Sequence, residues 1–190
     1  MESSKKWGDE EDSRTKTKEN KLLKKTKRNK VIWKPPLEGM YKINFDGSCK
    51  ENGEMAGGFI IRDSHKNTRS LAGFKLGTGT TILAETLALK KSINTAKILG
   101  LRKIYIEGDS QIIIYALKGG YSYPWEIDML IADIGKILQS FEEVVLDFVP
   151  REINLVADFL AKKGHFPTSS WHNSSDLQAL IRKDALGRPP

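Results

Sequence analysis

Four carboxylates in this sequence stand where a carboxylate is awkward for structure alone. Asp46 closes the alternating run Tyr41-Lys-Ile-Asn-Phe-Asp46, just before Gly47. Glu85 lies in Leu83-Ala-Glu-Thr-Leu87, Asp109 in Glu107-Gly-Asp-Ser110, and Asp158 in Val156-Ala-Asp-Phe-Leu160. Each alone has an ordinary reading. Asp46 and Asp109 can be turn formers beside Gly or Ser, and Glu85 and Asp158 can be exposed helix positions. As a set they say more. Carboxylates gathered in a partly buried site repel one another, and divalent cations remove that repulsion. All-oxygen ligands suit Mg²⁺ or Mn²⁺, not zinc. Two such ions about 4 Å apart can activate a water and stabilise a leaving oxygen in phosphoryl transfer.

Such a set needs a fold that brings four segments to one edge. Tyr41 to Asp46 alternates with period two and predicts a strand with Tyr41, Ile43 and Phe45 on one face. Gly47 and Gly53 then punctuate a loop. Ala56–Arg62 and Ser70–Leu76 predict two further strands about the polar turn Asp63–Asn67, an antiparallel meander. Thr81–Leu99 predicts a helix capped by Thr80 or Thr81 and ended by Gly100. Lys103–Glu107 predicts a fourth strand, with Asp109 in the opposite phase to Ile104 and Ile106. Gln111–Leu117 predicts a helix and Trp125–Phe141 a longer one, with Trp125 packed under its start. Val144–Val149 predicts the last strand and Asn154–Lys163 a helix that sets Asn154 one turn before Asp158. Pro167–Ser175 is expected to be a loop and Asp176–Ala185 a terminal helix. This order indicates an α/β fold with a five-stranded mixed sheet and helices packed on it. In it, the ends of the first and fourth strands can be neighbours.

The 190 residues hold 39% apolar and 29% charged side chains, enough for one packed domain with a tail. The division expected is a basic disordered tail over 1–30, the domain over 31–166, and an extension with a short helix over 167–190. Apolar runs are too short to span a bilayer, and the N-terminus lacks the apolar core of a secretory signal. The single cysteine, Cys49, excludes an internal disulfide framework. An intracellular protein, nuclear or cytoplasmic and not secreted, with no membrane partner is expected, and a monomer. The charge is uneven. Residues 1–34 carry 12 Lys/Arg against 6 Asp/Glu, whereas residues 35–190 carry 19 against 18. The run Lys24-Lys-Thr-Lys-Arg28 suits nuclear import, phosphate contact, or simply a solvated extension.

The motifs resemble the type 1 ribonuclease H family, and in particular its plant members related to the terminal domain of non-LTR retrotransposons. The matching stretches are Trp33-Lys-Pro-Pro36, Lys42-Ile-Asn-Phe-Asp-Gly-Ser48, Ala56-Gly-Gly58 with Ile61-Arg-Asp63, Ala84-Glu85, Ile106-Glu-Gly-Asp-Ser110, and Val149-Pro-Arg-Glu152 with Asn154-Leu-Val-Ala-Asp-Phe-Leu-Ala161. Leu180-Ile-Arg-Lys-Asp184 with Gly187 resembles the tail of those plant domains. The resemblance implies a ribonuclease H-like sheet with three antiparallel strands followed by two parallel ones. It implies that Asp46, Glu85, Asp109 and Asp158 are the catalytic carboxylates and hold two Mg²⁺ ions, with Mn²⁺ as an alternative. The implied reaction is endonucleolytic hydrolysis of the RNA strand of an RNA–DNA hybrid, leaving a 3′-hydroxyl and a 5′-phosphate. Cys49, Glu51 and Asn52 occupy the places that read the RNA 2′-hydroxyl, and Cys49 is equally a small loop filler. Thr80 matches a hydroxyl that contacts a DNA phosphate.

Three departures from the family pattern bear on this. The loop before Asp158 has no His, and Arg151 holds roughly that place. Arg151 cannot act as a base at neutral pH, but it suits phosphate contact or product expulsion. Thr81 and Ile82 stand where Asn and Gln often contact the DNA strand. The link Lys118-Gly-Gly-Tyr-Ser-Tyr-Pro-Trp125 is not a basic handle; Tyr121, Tyr123 and Trp125 offer stacking surfaces instead. Hybrid affinity is then expected to rest on the Lys-rich tail. The competing reading is a non-catalytic nucleic-acid-binding domain derived from a retroelement. A 3′–5′ exonuclease is disfavoured because Asp46-Gly-Ser48 supplies no second carboxylate.

Overall fold

The computed structural model describes residues 32–120 and 122–187. The basic tail expected over 1–30, and Tyr121, lie outside the described residues. Residues from Val31 onward group as one unit.

Five strands form one sheet: β1 Tyr41–Cys49, β2 Glu54–Arg62, β3 Thr68–Thr78, β4 Lys103–Gly108 and β5 Glu143–Phe148. Their order is β3-β2-β1-β4-β5. The first three pair antiparallel, while β4 runs parallel to both β1 and β5. Among the described residues, five α-helices complete the fold: α1 Thr81–Ile98, α2 Gln111–Leu117, α3 Asp128–Leu138, α4 Leu155–Lys163 and α5 Ser175–Ala185.

Alternation along β1 sorts side chains between two faces. Ile43 and Phe45 join Phe59, Ile61, Ile104 and Ile106 beneath α1, α2 and α3, where Leu89, Ile93, Ile113 and Ile134 close the larger core. Lys42, Asn44 and Asp46 point the other way. On that face Ile60, Val156, Leu160, Trp171 and Leu177 make a second, smaller core. The segment after residue 166 thus packs into the fold through Trp171 and Leu177.

Two expectations need correction. β1 does not stop at Asp46; it continues through Gly47, Ser48 and Cys49, paired with Gly57, Ala56 and Met55 of β2. The Gly-Ser-Cys run reads as a loop by composition, but a paired partner strand extends it. The long helix from Trp125 to Phe141 is instead a single 3-10 turn, Trp125–Ile127, followed by α3, which ends at Leu138. Trp125 does not pack under it and is 89% exposed. Ile127, Ile131 and Ile134 take the inward positions, so Trp125 and Met129 fall on the outer side.

Candidate active site

The sheet's register aligns the first pair of carboxylates. β1 and β4 are parallel, with Asn44 paired to Glu107. Asp46 and Asp109 each lie two residues further, so they emerge side by side at the same edge and on the same face. In a mixed sheet this is the carboxyl end of the parallel strands, beside the point where strand order switches.

Close approaches bring in the other two. Gly47 lies so near α1 that a Cβ there would run into the backbone of Ala84 and Glu85. The bare backbone lets the first turns of α1 sit against the end of β1 and sets Glu85 beside Asp46. On the opposite face Gly58, the partner of Asp46 in β2, leaves room for α4 at Leu160 and Ala161. That contact brings Asp158, one turn earlier, to the same edge.

The four carboxyls sense one another. Burial, then Asp109, Asp158 and Glu85, push the Asp46 carboxyl up to about 8, against a single opposing hydrogen bond from the Gly47 amide. Burial also raises Glu85, with Asp109 adding to the shift and the Ser110 hydroxyl opposing it. Asp158 differs. Burial pushes it up, but Lys162 and Arg151 outweigh burial and hold it below the ordinary carboxylate value. Arg151 Nη2 donates to its Oδ1 at 2.7 Å and Lys162 Nζ to its Oδ2 at 2.7 Å.

Asn154 ties this edge together. It precedes α4 yet does not cap it. Its Nδ2 donates to Asp109 Oδ1 at 2.8 Å and to the Phe45 carbonyl at 2.9 Å, joining β1, β4 and α4. Two acceptors on one nitrogen fix the amide's orientation. Its Oδ1 is buried and has no hydrogen-bond partner. Neither Asn154 as a link nor Lys162 as a counter-ion was named by the sequence motifs. An Asn at a helix start that need not cap was the only signal.

Among the described residues, no three His, Cys, Asp or Glu side chains close round one point. The carboxylates share an edge without converging on a single centre. The set nonetheless fits hydrated divalent cations: every donor is oxygen, Asp46 is penalised by its neighbours' charge, and Asn154 Oδ1 is an orphan acceptor beside Asp109.

The predicted substrate contacts divide. Cys49 lies in β1, and its thiol donates to the Gly79 carbonyl at 3.2 Å, joining the β1–β2 turn to the entry of α1. Glu51 is exposed in that turn. Asn52 Oδ1 accepts from the Glu54 amide at 3.1 Å, which leaves its NH₂ free for another acceptor. Thr80 caps α1 by accepting from the Leu83 amide at 3.3 Å, and it donates to Glu126 Oε1 at 3.0 Å. A phosphate at Thr80 would therefore have to displace a carboxylate. Arg151 lies at the edge through its hold on Asp158, as described. His165, remote in sequence, brings Nε2 within 3.2 Å of Ser48 Oγ.

Comparison with known proteins bears on this architecture. A family model described as reverse transcriptase-like matches residues 44–164. An Arabidopsis thaliana protein called “Putative ribonuclease H protein” is 30% identical over 165 residues. The match covers 83% of this chain and 26% of that relative, so the chain spans about a quarter of its length. Among solved structures, RNase H1 from the halophilic archaeon Halobacterium salinarum aligns with a TM-score of 0.64 at 26% identity, over 66% of this chain and 97% of that one. LC11-RNase H1 in complex with an RNA/DNA hybrid aligns with a TM-score of 0.60 at 25% identity, over 65% and 94%.

Proposed function

The chain belongs to the reverse transcriptase-like family and carries the ribonuclease H fold, and from that premise we propose that it is an endonuclease that hydrolyses the RNA strand of RNA–DNA hybrids with divalent cations. The observation that carries this reading is the shared edge of Asp46, Glu85, Asp109 and Asp158, where charge on Asp46 is unfavourable without a cation. Those four side chains would hold Mg²⁺ or Mn²⁺, two ions in the reading favoured here. When bound, such ions supply an activated water and take up charge on the leaving 3′-oxygen.

The chain's own groups have the remaining tasks. Asp46 presents its charge to the cations and is the group most relieved by them. Asn154 holds Asp109 against β1, so that the two strand carboxylates keep their separation as substrate arrives. Asn52, exposed in the β1–β2 turn with its NH₂ free, is the group offered to a 2′-hydroxyl, which separates RNA from DNA. Arg151, 66% exposed, can reach a backbone phosphate. Already protonated at neutral pH, it cannot take the proton of an attacking water, which would pass to another group such as solvent or a substrate oxygen. The partner proposed is the hybrid duplex, bound by a monomer inside the cell. Among the described residues no helix is long and apolar enough to cross a membrane.

The test is cleavage of an end-labelled RNA–DNA hybrid with Mg²⁺ or Mn²⁺, run beside Asp109→Asn. Cutting of the RNA strand by the wild type alone supports the reading. Hybrid binding without cutting by either metal would leave the non-catalytic binding domain in its place.

A further inference from the structure

Two residues beyond Asp46, β1 presents Ser48 on the same face. The register sets Ser48, Ala56 and Lys75 abreast on β1, β2 and β3. This row lies about 7 Å outward from Asp46, and Ser48 and Lys75 flank the Ala56 methyl about 10 Å apart. The end of α4 is pressed onto these strands: a Cβ at Gly164, which follows α4, would run into the Phe74 nitrogen and the Gly57 carbonyl. That approach delivers His165 to the row, with Nε2 3.2 Å from Ser48 Oγ. Here Lys75, Thr78 and His165 line a cavity of about 260 Å³, together with Glu54, Met55 and Gly77.

The charge round this cavity is positive. Lys50 Nζ donates to Glu54 Oε2 at 2.8 Å and neutralises that carboxylate. Among the described residues Lys75 forms no ion pair of its own, and its pull on Glu54 is the weakest of those acting there. Burial, then Lys50, with a smaller push from Lys75, hold His165 below its ordinary value against an opposing pull from Glu54. Two ammonium fields thus converge on a neutral imidazole. With Nε2 engaged by Ser48, Nδ1 is the nitrogen left for a ligand. An ammonium, an imidazole and a hydroxyl round one cavity are donors for a phosphate oxygen.

We propose that this cavity is a phosphate subsite: Lys75, His165 and the Thr78 hydroxyl bind a backbone phosphate of the nucleic acid, a neighbour of the phosphate that lies at the carboxylates. The inference rests on the nucleic-acid reading above. It adds a path, in which the cut strand runs outward from Asp46 over β1, β2 and β3 on the face that carries α4. It also gives a nearly neutral domain a local hold on a polyanion, since residues 35–190 carry 19 basic against 18 acidic side chains.

The test is binding of a fluorescently labelled RNA–DNA hybrid in EDTA over a salt series, which needs no turnover. Lys75→Gln and His165→Leu are compared with the wild type and with Lys103→Gln, an exposed lysine at the opposite end of the sheet. Lys75→Gln is expected to weaken binding about three- to tenfold and to lower the slope of log affinity against log salt by about one, as befits one lost phosphate contact. His165→Leu is expected to weaken binding with the slope unchanged, because a neutral imidazole displaces no counter-ion. Lys103→Gln should change neither. An equal loss with Lys75→Gln and Lys103→Gln would mean a general field effect and overturn the subsite. Wild-type affinity and slope in Lys75→Gln would overturn it too. A second arm titrates inorganic phosphate and follows the His165 ring by NMR. Expected is a shift that Lys75→Gln diminishes, alongside the loss in hybrid binding. A shift with hybrid binding unmoved by either substitution would mean a site for the free anion and overturn the path over the strands. If the wild type binds no hybrid, the nucleic-acid reading itself falls, an outcome distinct from the others.

Discussion

Asp46 is where the chemistry and the stability of this protein conflict. It is 6% exposed, and three other carboxyls raise it further. Its folded pKa, about 8, lies above its ordinary value of 3.8. Between those values the folded protein holds a proton that the unfolded chain has released, so stability falls as pH rises through the window. The metal-free protein is therefore expected to lose stability between about pH 4 and pH 8 on account of this group. Asp46→Asn mimics the protonated carboxyl. In EDTA it should match the wild type near pH 4 and exceed it clearly in Tm at pH 8.5. Thermal melts at the two pH values check this, and an equal difference at both would sink it. Adding Mg²⁺ at pH 8.5 should raise the wild-type Tm and narrow the gap, since ligands that bind only the folded state stabilise it. Asn154 is the other decisive residue. Asn154→Ala removes both its donors at a site 1% exposed and takes a hydrogen bond from the Phe45 carbonyl and from Asp109. A loss of about 1–3 kcal/mol is expected in urea unfolding, with a fall in kcat for hybrid cleavage greater than the change in KM.

At the scale of elements, the site depends on two helices lying closer to the sheet than side chains normally permit. Gly47 and Gly58 make those approaches, one on each face. A methyl group at Gly47 would push α1 and Glu85 away from Asp46. Gly47→Ala is therefore expected to lower hybrid cleavage by at least tenfold while far-ultraviolet circular dichroism stays native. Cleavage at the wild-type rate would show that Glu85 need not sit so near. Much of this arrangement was legible in the sequence. Period-two alternation placed Asp46 opposite Ile43 and Phe45, and the order of elements allowed β1 and β4 to be neighbours. The helix carboxylates were legible because apolar residues flank them. Contacts between distant elements were not: nothing local in Val149-Pro-Arg-Glu152 says that Arg151 reaches Asp158, and nothing in Asn154 says that its amide crosses to Phe45. Trp125 was misplaced because aromatic character suggests burial, whereas the spacing of Ile127, Ile131 and Ile134 had already assigned the inner side to others.

The whole molecule is closed by segments outside residues 44–164, the span matched by the family model. Trp33 comes from the N-terminal side and Asp184 from α5, and both end on Arg62 in β2. Arg62 is 1% exposed; its guanidinium lies 3.6 Å from the Trp33 ring centre, its Nη1 donates to Asp184 Oδ2 at 2.5 Å, and its Nη2 donates to Asn44 Oδ1 at 3.0 Å. Trp33 Nε1 donates to the same Asn44 oxygen, and Asn44 donates on to Glu107, which also pairs with Lys42. This buried polar network fastens the segments around Trp33 and Asp184 to β1 and β4, two residues below Asp46 and Asp109. Burying charge is costly unless every partner is present, and removing one partner strands the other. Asp184→Ala is expected to cost about 3–5 kcal/mol, because it leaves Arg62 charged and buried without its carboxylate. Arg62→Met combined with Asp184→Ala removes both charges and should recover a large part of that loss. Urea unfolding of the two variants decides between this account and one in which α5 contributes only through Leu177 and its apolar neighbours. On the apolar account Asp184→Ala would cost under about 1 kcal/mol, the scale of a surface pair, and the second substitution would only destabilise further.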